Sequence, residues 1–152
     1  MSQGGARSHR QQWEAAYRAC HYLVLLDGHA LILRPGIADP LADRRLAQEA
    51  GVARAWAVLT PCNPGSAPLD AAANAERLER LRNALAQAGL NCRHSLNRDP
   101  AGRWPDEPGF LVCDPPAGLV DGLARAFGQN AYLAGGPGTA PALVWLAGCD
   151  AG

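Results

Sequence analysis

From Ala53 onward, apolar runs of strand length alternate with segments of helical period, each closed by glycine or proline. Ala53 to Thr60 reads as a buried strand on its apolar content. Asp70 stands as the N-cap of the longest helix, Ala71 to Ala88, whose Leu78, Leu81 and Leu85 recur at helical spacing. Gly89 ends that helix, and Leu90 to Leu96 and Phe110 to Cys113 follow as strands. Asp114-Pro115-Pro116 opens a second helix to about Ala126, with Leu119, Val120, Leu123 and Phe127 on one face. Gly128 closes it before a strand at Asn130 to Ala134. Strand, helix, strand, strand, helix, strand is the split βαβ pattern. The fold expected is α+β, with a ferredoxin-like core, an antiparallel or mixed sheet and helices mainly on one face.

The flanks extend this core. A short helix is expected over Gln11 to Ala19. Strands at His21 to Leu26 and Ala30 to Arg34 form a hairpin about Asp27-Gly28. A helix from Pro40 to Ala50 follows, with Asp39 as N-cap, Pro40 at its first position and Gly51 past its end. Ala142 to Ala147 supplies a last strand. The polar stretch of residues 1–10 lacks an apolar segment, so it is read as a disordered tail and not a signal peptide. Residues 11–148 then form a single domain, the ordinary size for a chain of 152 residues.

Charge narrows the partners. The 14 basic side chains are all arginine and balance 14 acidic ones, so no phosphate-tracking basic face is expected and nucleic acid is disfavoured. The absence of lysine removes Schiff-base and P-loop chemistry. The longest apolar run, Ala142 to Ala147, is far too short to span a membrane. The cysteines at 20, 62, 92, 113 and 149 and the histidines at 9, 21, 29 and 94 show no metal-ligand spacing. No cofactor or metal is expected, and the odd thiol count suits a reduced, cytoplasmic protein.

Polar residues gather in three breaks between the core elements. Arg98, Asp99, Arg103, Trp104, Asp106 and Glu107 lie within Asn97 to Gly109, a long irregular stretch. Trp104 among arginines and prolines can form a stiff wall for a planar ligand, and Glu107 can accept hydrogen bonds or a proton. The competing reading is a solvated loop whose charges pair locally while Trp104 plugs the core edge. Asn63, in Thr60-Pro61-Cys62-Asn63-Pro64, can orient a ligand or simply hold a turn. Gln129 and Asn130 bring two amides to the turn after Gly128, where they can also satisfy the backbone. No histidine is fixed beside Cys62, so its use as a nucleophile is disfavoured. Gly135-Gly136-Pro137-Gly138 leads into a strand, not a helix, and is read as a hairpin loop without a phosphate role.

Taken in order, these motifs resemble a bacterial family known as domain of unknown function 3293. They are Trp56, Ala57, Thr60, Asn63 and Pro64; Asn74; Arg98, Asp99, Gly102, Trp104, Pro105, Glu107, Pro108 and Phe110 to Val112; and Phe127 to Ala131. The resemblance spans about Tyr17 to Leu146. The family pattern differs in placing Ala-Trp where this chain has Pro61-Cys62, and Ser where it has Gly109. The resemblance implies a small soluble bacterial protein and supplies no reaction. The reading favoured is a site for a small polar or nucleotide-like ligand, formed by Asn63, Arg98, Asp99, Trp104, Glu107, Gln129 and Asn130. Glu107 and Asp99 are the candidate bases if a reaction occurs. The alternative is a protein-interaction or regulatory module, and the chain is expected to be a monomer or homodimer.

Overall fold

The computed structural model describes residues 9–146. Residues 1–8 of the expected tail, and Ala147 at the end of the expected last strand, lie outside them. The helices are α1 (His9–Ala19), α2 (Pro40–Arg45), α3 (Ala71–Gln87) and α4 (Leu119–Ala126). The strands are β1 (His21–Leu26), β2 (His29–Leu33), β3 (Trp56–Leu59), β4 (Cys92–Arg98), β5 (Glu107–Cys113), β6 (Ala131–Gly135) and β7 (Ala142–Trp145). The protein is α+β, and its strands form one sheet in the order β2-β1-β4-β5-β3-β6-β7. Every neighbouring pair is antiparallel.

The expected capping chemistry is present. Asp39 Oδ1 accepts from the N–H groups of Leu41 and Ala42, and α2 runs on as a π-helix over Leu46–Ala50 before the left-handed Gly51. Asp70 Oδ1 accepts from Ala73 N–H at the start of α3.

The sheet is larger than a four-stranded core, and it curls. The Gly36 N–H, just after β2, donates to Pro141 C=O, just before β7, at 2.7 Å. The two edges are therefore bridged at one point. Tyr22, Val24, Val58, Leu111 and Leu133 pack on the inner face with Ala42 and Leu46 of the α2 segment. Ala57, Leu59, Phe110 and Val112 pack on the outer face with Leu81 and Leu85 of α3 and Val120 and Ala124 of α4. The expectation of helices mainly on one face therefore holds for α3 and α4 alone. The α2 segment packs on the inner face of the curl.

Several boundaries differ from those read in the sequence; α1 begins at His9, so His9 and Arg10 of the expected disordered tail are helical, and β3 begins at Trp56, not Ala53. β5 begins at Glu107, not Phe110, and β4 runs to Arg98, so the irregular stretch is only residues 99–106. Pro108 does not break β5, because β3 ends at Leu59 opposite Phe110 and leaves no ladder partner for an N–H at 108. The Pro108 carbonyl instead accepts from the Thr60 hydroxyl at 2.8 Å. α4 begins at Leu119, not at Asp114. Asp114 is left-handed, with φ 50, and its carboxylate accepts from the N–H groups of Ala53, Arg54 and Ala55. Those three bonds hold its carboxyl below the usual aspartate range and fix the entry to β3. Among the described residues no helix is long and apolar enough to cross a membrane.

Candidate functional site

Antiparallel pairing gathers the polar breaks at one end of the sheet. Leu59, at the end of β3, pairs with Phe110, and Asn97, near the end of β4, pairs with Glu107 at the start of β5. β6 starts beside the end of β3. The Asn63 loop, the loop 99–106 and the Gln129-Asn130 turn therefore share that end.

The Asn63 loop is held in an unusual shape. Asn63 (φ 49), Gly65 (φ 64) and Ser66 (φ 63) are all left-handed. Asparagine tolerates this region better than most residues, yet the conformation persists only where its surroundings enforce it. Asn63 N–H donates to Asn74 Oδ1 at 3.1 Å, and Asn63 Oδ1 accepts from Asn74 Nδ2 and from Leu69 N–H, both at 2.9 Å. Arg77 Nε donates to Pro61 C=O at 2.6 Å, and its terminal nitrogen donates to Phe127 C=O. Gln129 Nε2 donates to Cys62 C=O at 3.0 Å, and Gly65 N–H donates to Gly128 C=O at 2.8 Å. Asn130 Nδ2 reaches Tyr17 Oη at 3.1 Å and Ser66 Oγ at 3.2 Å, and those two hydroxyls lie 2.6 Å apart.

Glu107 is the ionisable group at the centre of this scaffold. Its Oε2 accepts from Asn63 Nδ2 at 2.6 Å. It forms no ion pair among the described residues. Burial pushes its carboxyl above the usual glutamate range, and the Asn63 bond offsets part of that rise. Asn97 stands directly opposite on β4, and its buried Oδ1 has no hydrogen-bond partner. Paired residues carry side chains on the same face, with Cβ atoms about 5 Å apart. The Glu107 carboxylate and the partnerless Asn97 Oδ1 therefore stand on neighbouring strands on the same face. The thiols of Cys20 and Cys62 are near enough to feel the Glu107 charge, though burial is the larger cause of their raised pKa values.

The remaining candidates pair among themselves. Arg98 holds Asp106 in a forked contact at 2.7 Å. Burial pushes the Asp99 carboxyl upward, but bonds from Ala101 N–H, Arg103 N–H and the Arg103 side chain outweigh it and leave it low. Trp104 is 39% exposed with the Arg103 guanidinium 4.9 Å from its ring centre, so it does not plug the core edge. Asn63, Glu107, Gln129 and Asn130 thus form one network, while Arg98, Asp99 and Trp104 form a self-paired loop beside it. Gln129 and Asn130 brace the Asn63 loop.

Sequence reasoning gave no site role to Asn97, Arg77, Tyr17 or Ser66. Arg77 follows Asn74 by three residues, hence on the same face of α3, and that spacing was the available signal. Asn97 emerges only from the β4–β5 register. Among the described residues no group of three or more His, Cys, Asp or Glu is placed to hold a metal ion. Among curated proteins and among solved structures, nothing matches the chain. Residues 59–132 match the family model described as protein of unknown function DUF3293, and it is this family that the chain resembles.

Proposed function

We propose that the end of the sheet around Glu107 binds a small polar ligand that presents an N–H donor, a primary ammonium or an amide. The observation that carries this reading is Glu107 itself. It is a substantially buried carboxyl that accepts from Asn63 Nδ2 and has no basic partner among the described residues, and opposite it stands Asn97 Oδ1, which is buried without a donor. A buried acceptor without a donor is costly, and a ligand N–H would satisfy Asn97 Oδ1 while a cationic or amide ligand meets the Glu107 carboxylate beside it. The braced Asn63 loop supports the reading, because it fixes one carboxylate oxygen and leaves the other to a ligand. A nucleotide-like ligand is less favoured: Arg98 and Arg103, which would meet its phosphates, are engaged by Asp106 and Asp99.

The site is read as carried on a ferredoxin-like core of β3 to β6, α3 and α4, which the strand order β4-β5-β3-β6 and the shared face of the two helices support. A cytoplasmic location accords with the free thiols of Cys20, Cys62, Cys92 and Cys113.

The test is a thermal-shift panel of primary amines, amides, free amino acids, carboxylates and nucleotides, on wild type and Glu107→Gln. A ligand at 100 times its Kd stabilises by about 2.7 kcal/mol. Stabilisation by amines or amides, lost in Glu107→Gln, supports the reading. Stabilisation by anions alone, or equal shifts in both proteins, refutes it.

A further inference from the structure

β2 is an edge strand with its hydrogen-bonding groups open. Its hairpin with β1 closes on Leu26 paired with His29. The closing pair of a two-residue hairpin faces inward, so Ala30 and Ile32 turn their N–H and C=O groups away from β1. Neither finds another backbone partner among the described residues. Sheet edges are ordinarily guarded by charge, proline or a covering element. His29-Ala30-Leu31-Ile32-Leu33 has no proline and no Lys, Arg, Asp or Glu. The opposite edge is covered: α1 packs on β7, with Tyr17 stacked on Trp145 at 5.1 Å.

Four large apolar side chains stand exposed on the hairpin and the segment after it: Leu25 (40%), Ile32 (42%), Ile37 (53%) and Leu41 (52%). A groove of about 380 Å³ runs along Ala30 to Arg34 and is also lined by Ile37, Asp39, Ala42, Asp43, Trp56 and Pro141.

We infer that β2 pairs antiparallel with β2 of a second copy of this chain, about a two-fold axis at Leu31. Ala30 of each copy then exchanges backbone hydrogen bonds with Ile32 of the other. The two Leu31 residues meet as a non-hydrogen-bonded pair, where side chains approach most closely. Charge selects this register. Arg34 is exposed and has no ion pair among the described residues, and the carboxylate of Asp27 is 91% exposed with only a 3.4 Å contact to Arg93. Centring on Leu31 sets Arg34 opposite Gly28 of the second copy, beside its Asp27, and the axis makes that contact twice. Centring on Ala30 or Ile32 leaves Arg34 opposite Leu26 or Ala30 instead. The interface is self-complementary, as a two-fold dimer requires.

The experiment is analytical ultracentrifugation of the full chain over a dilution series. Wild type is expected to reach twice the 16.0 kDa chain mass. Ile32→Lys places a charge on the exposed edge and is expected to give monomer. Arg34→Asp and Asp27→Arg each set like charges against each other twice, and each is expected to weaken the dimer by about tenfold or more. An equimolar mixture of these two variants restores both pairings and is expected to dimerise. A folding defect does not produce that rescue. Wild type that is monomeric throughout overturns the inference. So does a dimer indifferent to Ile32→Lys, or a mixture no tighter than its components.

Discussion

Gly109 gives the sharpest test of the packing that holds Glu107. A Cβ at this position would stand 2.2 Å from the Leu59 carbonyl oxygen and 2.9 Å from Thr60 Cα, both main-chain atoms of the neighbouring strand and its end. Main chain cannot swing aside like a long side chain, so in Gly109→Ala β3 and β5 must part by roughly 1 Å to restore ordinary contact. Overpacking of this kind costs about 1–3 kcal/mol, and one or two weakened ladder bonds add about 1 kcal/mol each. The total is about 3 kcal/mol. At this chain length that lowers the Tm by about 6–12 °C, measured by calorimetry or circular dichroism. Gly109 is also two residues from Glu107 on the same strand, so ligand binding at Glu107 should weaken along with stability. A Gly109→Ala protein melting within about 2 °C of wild type would refute the close approach of the two strands.

Three further outcomes follow from the site. Asn63→Ala forces a less tolerant residue into the left-handed region and removes the bonds to Glu107, Asn74 and Leu69, so it should lose about 2–4 kcal/mol in chemical denaturation. Asn63→Gly, which tolerates that backbone, should lose less; equal losses would exclude backbone strain. Burial raises the Glu107 carboxyl, so just above the ordinary glutamate range the folded chain still holds a proton that the unfolded chain has released. Stability should therefore fall as pH rises through that window, and Glu107→Gln should flatten the fall in a Tm-against-pH series; parallel curves would contradict the assignment. Burial lifts the thiols of Cys20 to about 12 and Cys92 to about 11, so peptides carrying them should resist iodoacetamide in the native protein and react once it is unfolded. Rapid native labelling at either position would show the thiol to be exposed.

Much of the fold was legible because its local signals agree with its packing. The caps Asp39 and Asp70, the turn at Asp27-Gly28 and the left-handed Gly51 and Gly128 stand where the sequence placed them. Two features escaped because they depend on pairing and not on local chemistry. Proline and glycine made Glu107-Pro108-Gly109 look like loop, and only the end of β3 at Leu59 explains why Pro108 is tolerated in a strand. Asp114 before two prolines looked like a helix cap, but its carboxylate instead clamps residues about sixty positions away. The site was half legible for the same reason. Asn63, Glu107, Gln129 and Asn130 were visible as polar residues between core elements, while the Asn97–Glu107 pairing required the register. Arg98, Asp99 and Trp104 drew attention by their density, yet density in a hairpin loop also favours the local pairing that the structure contains.

The most direct test of the account is a ¹³C NMR titration of the Glu107 side-chain carboxyl, assigned by comparison with Glu107→Gln, with and without a saturating amine from the thermal-shift panel. The expected titration midpoint lies above the ordinary glutamate range in the free protein and moves down when the amine binds, because a cationic donor favours the ionised carboxylate. A midpoint at or below the ordinary range in the free protein, or one that no amine displaces, would contradict it.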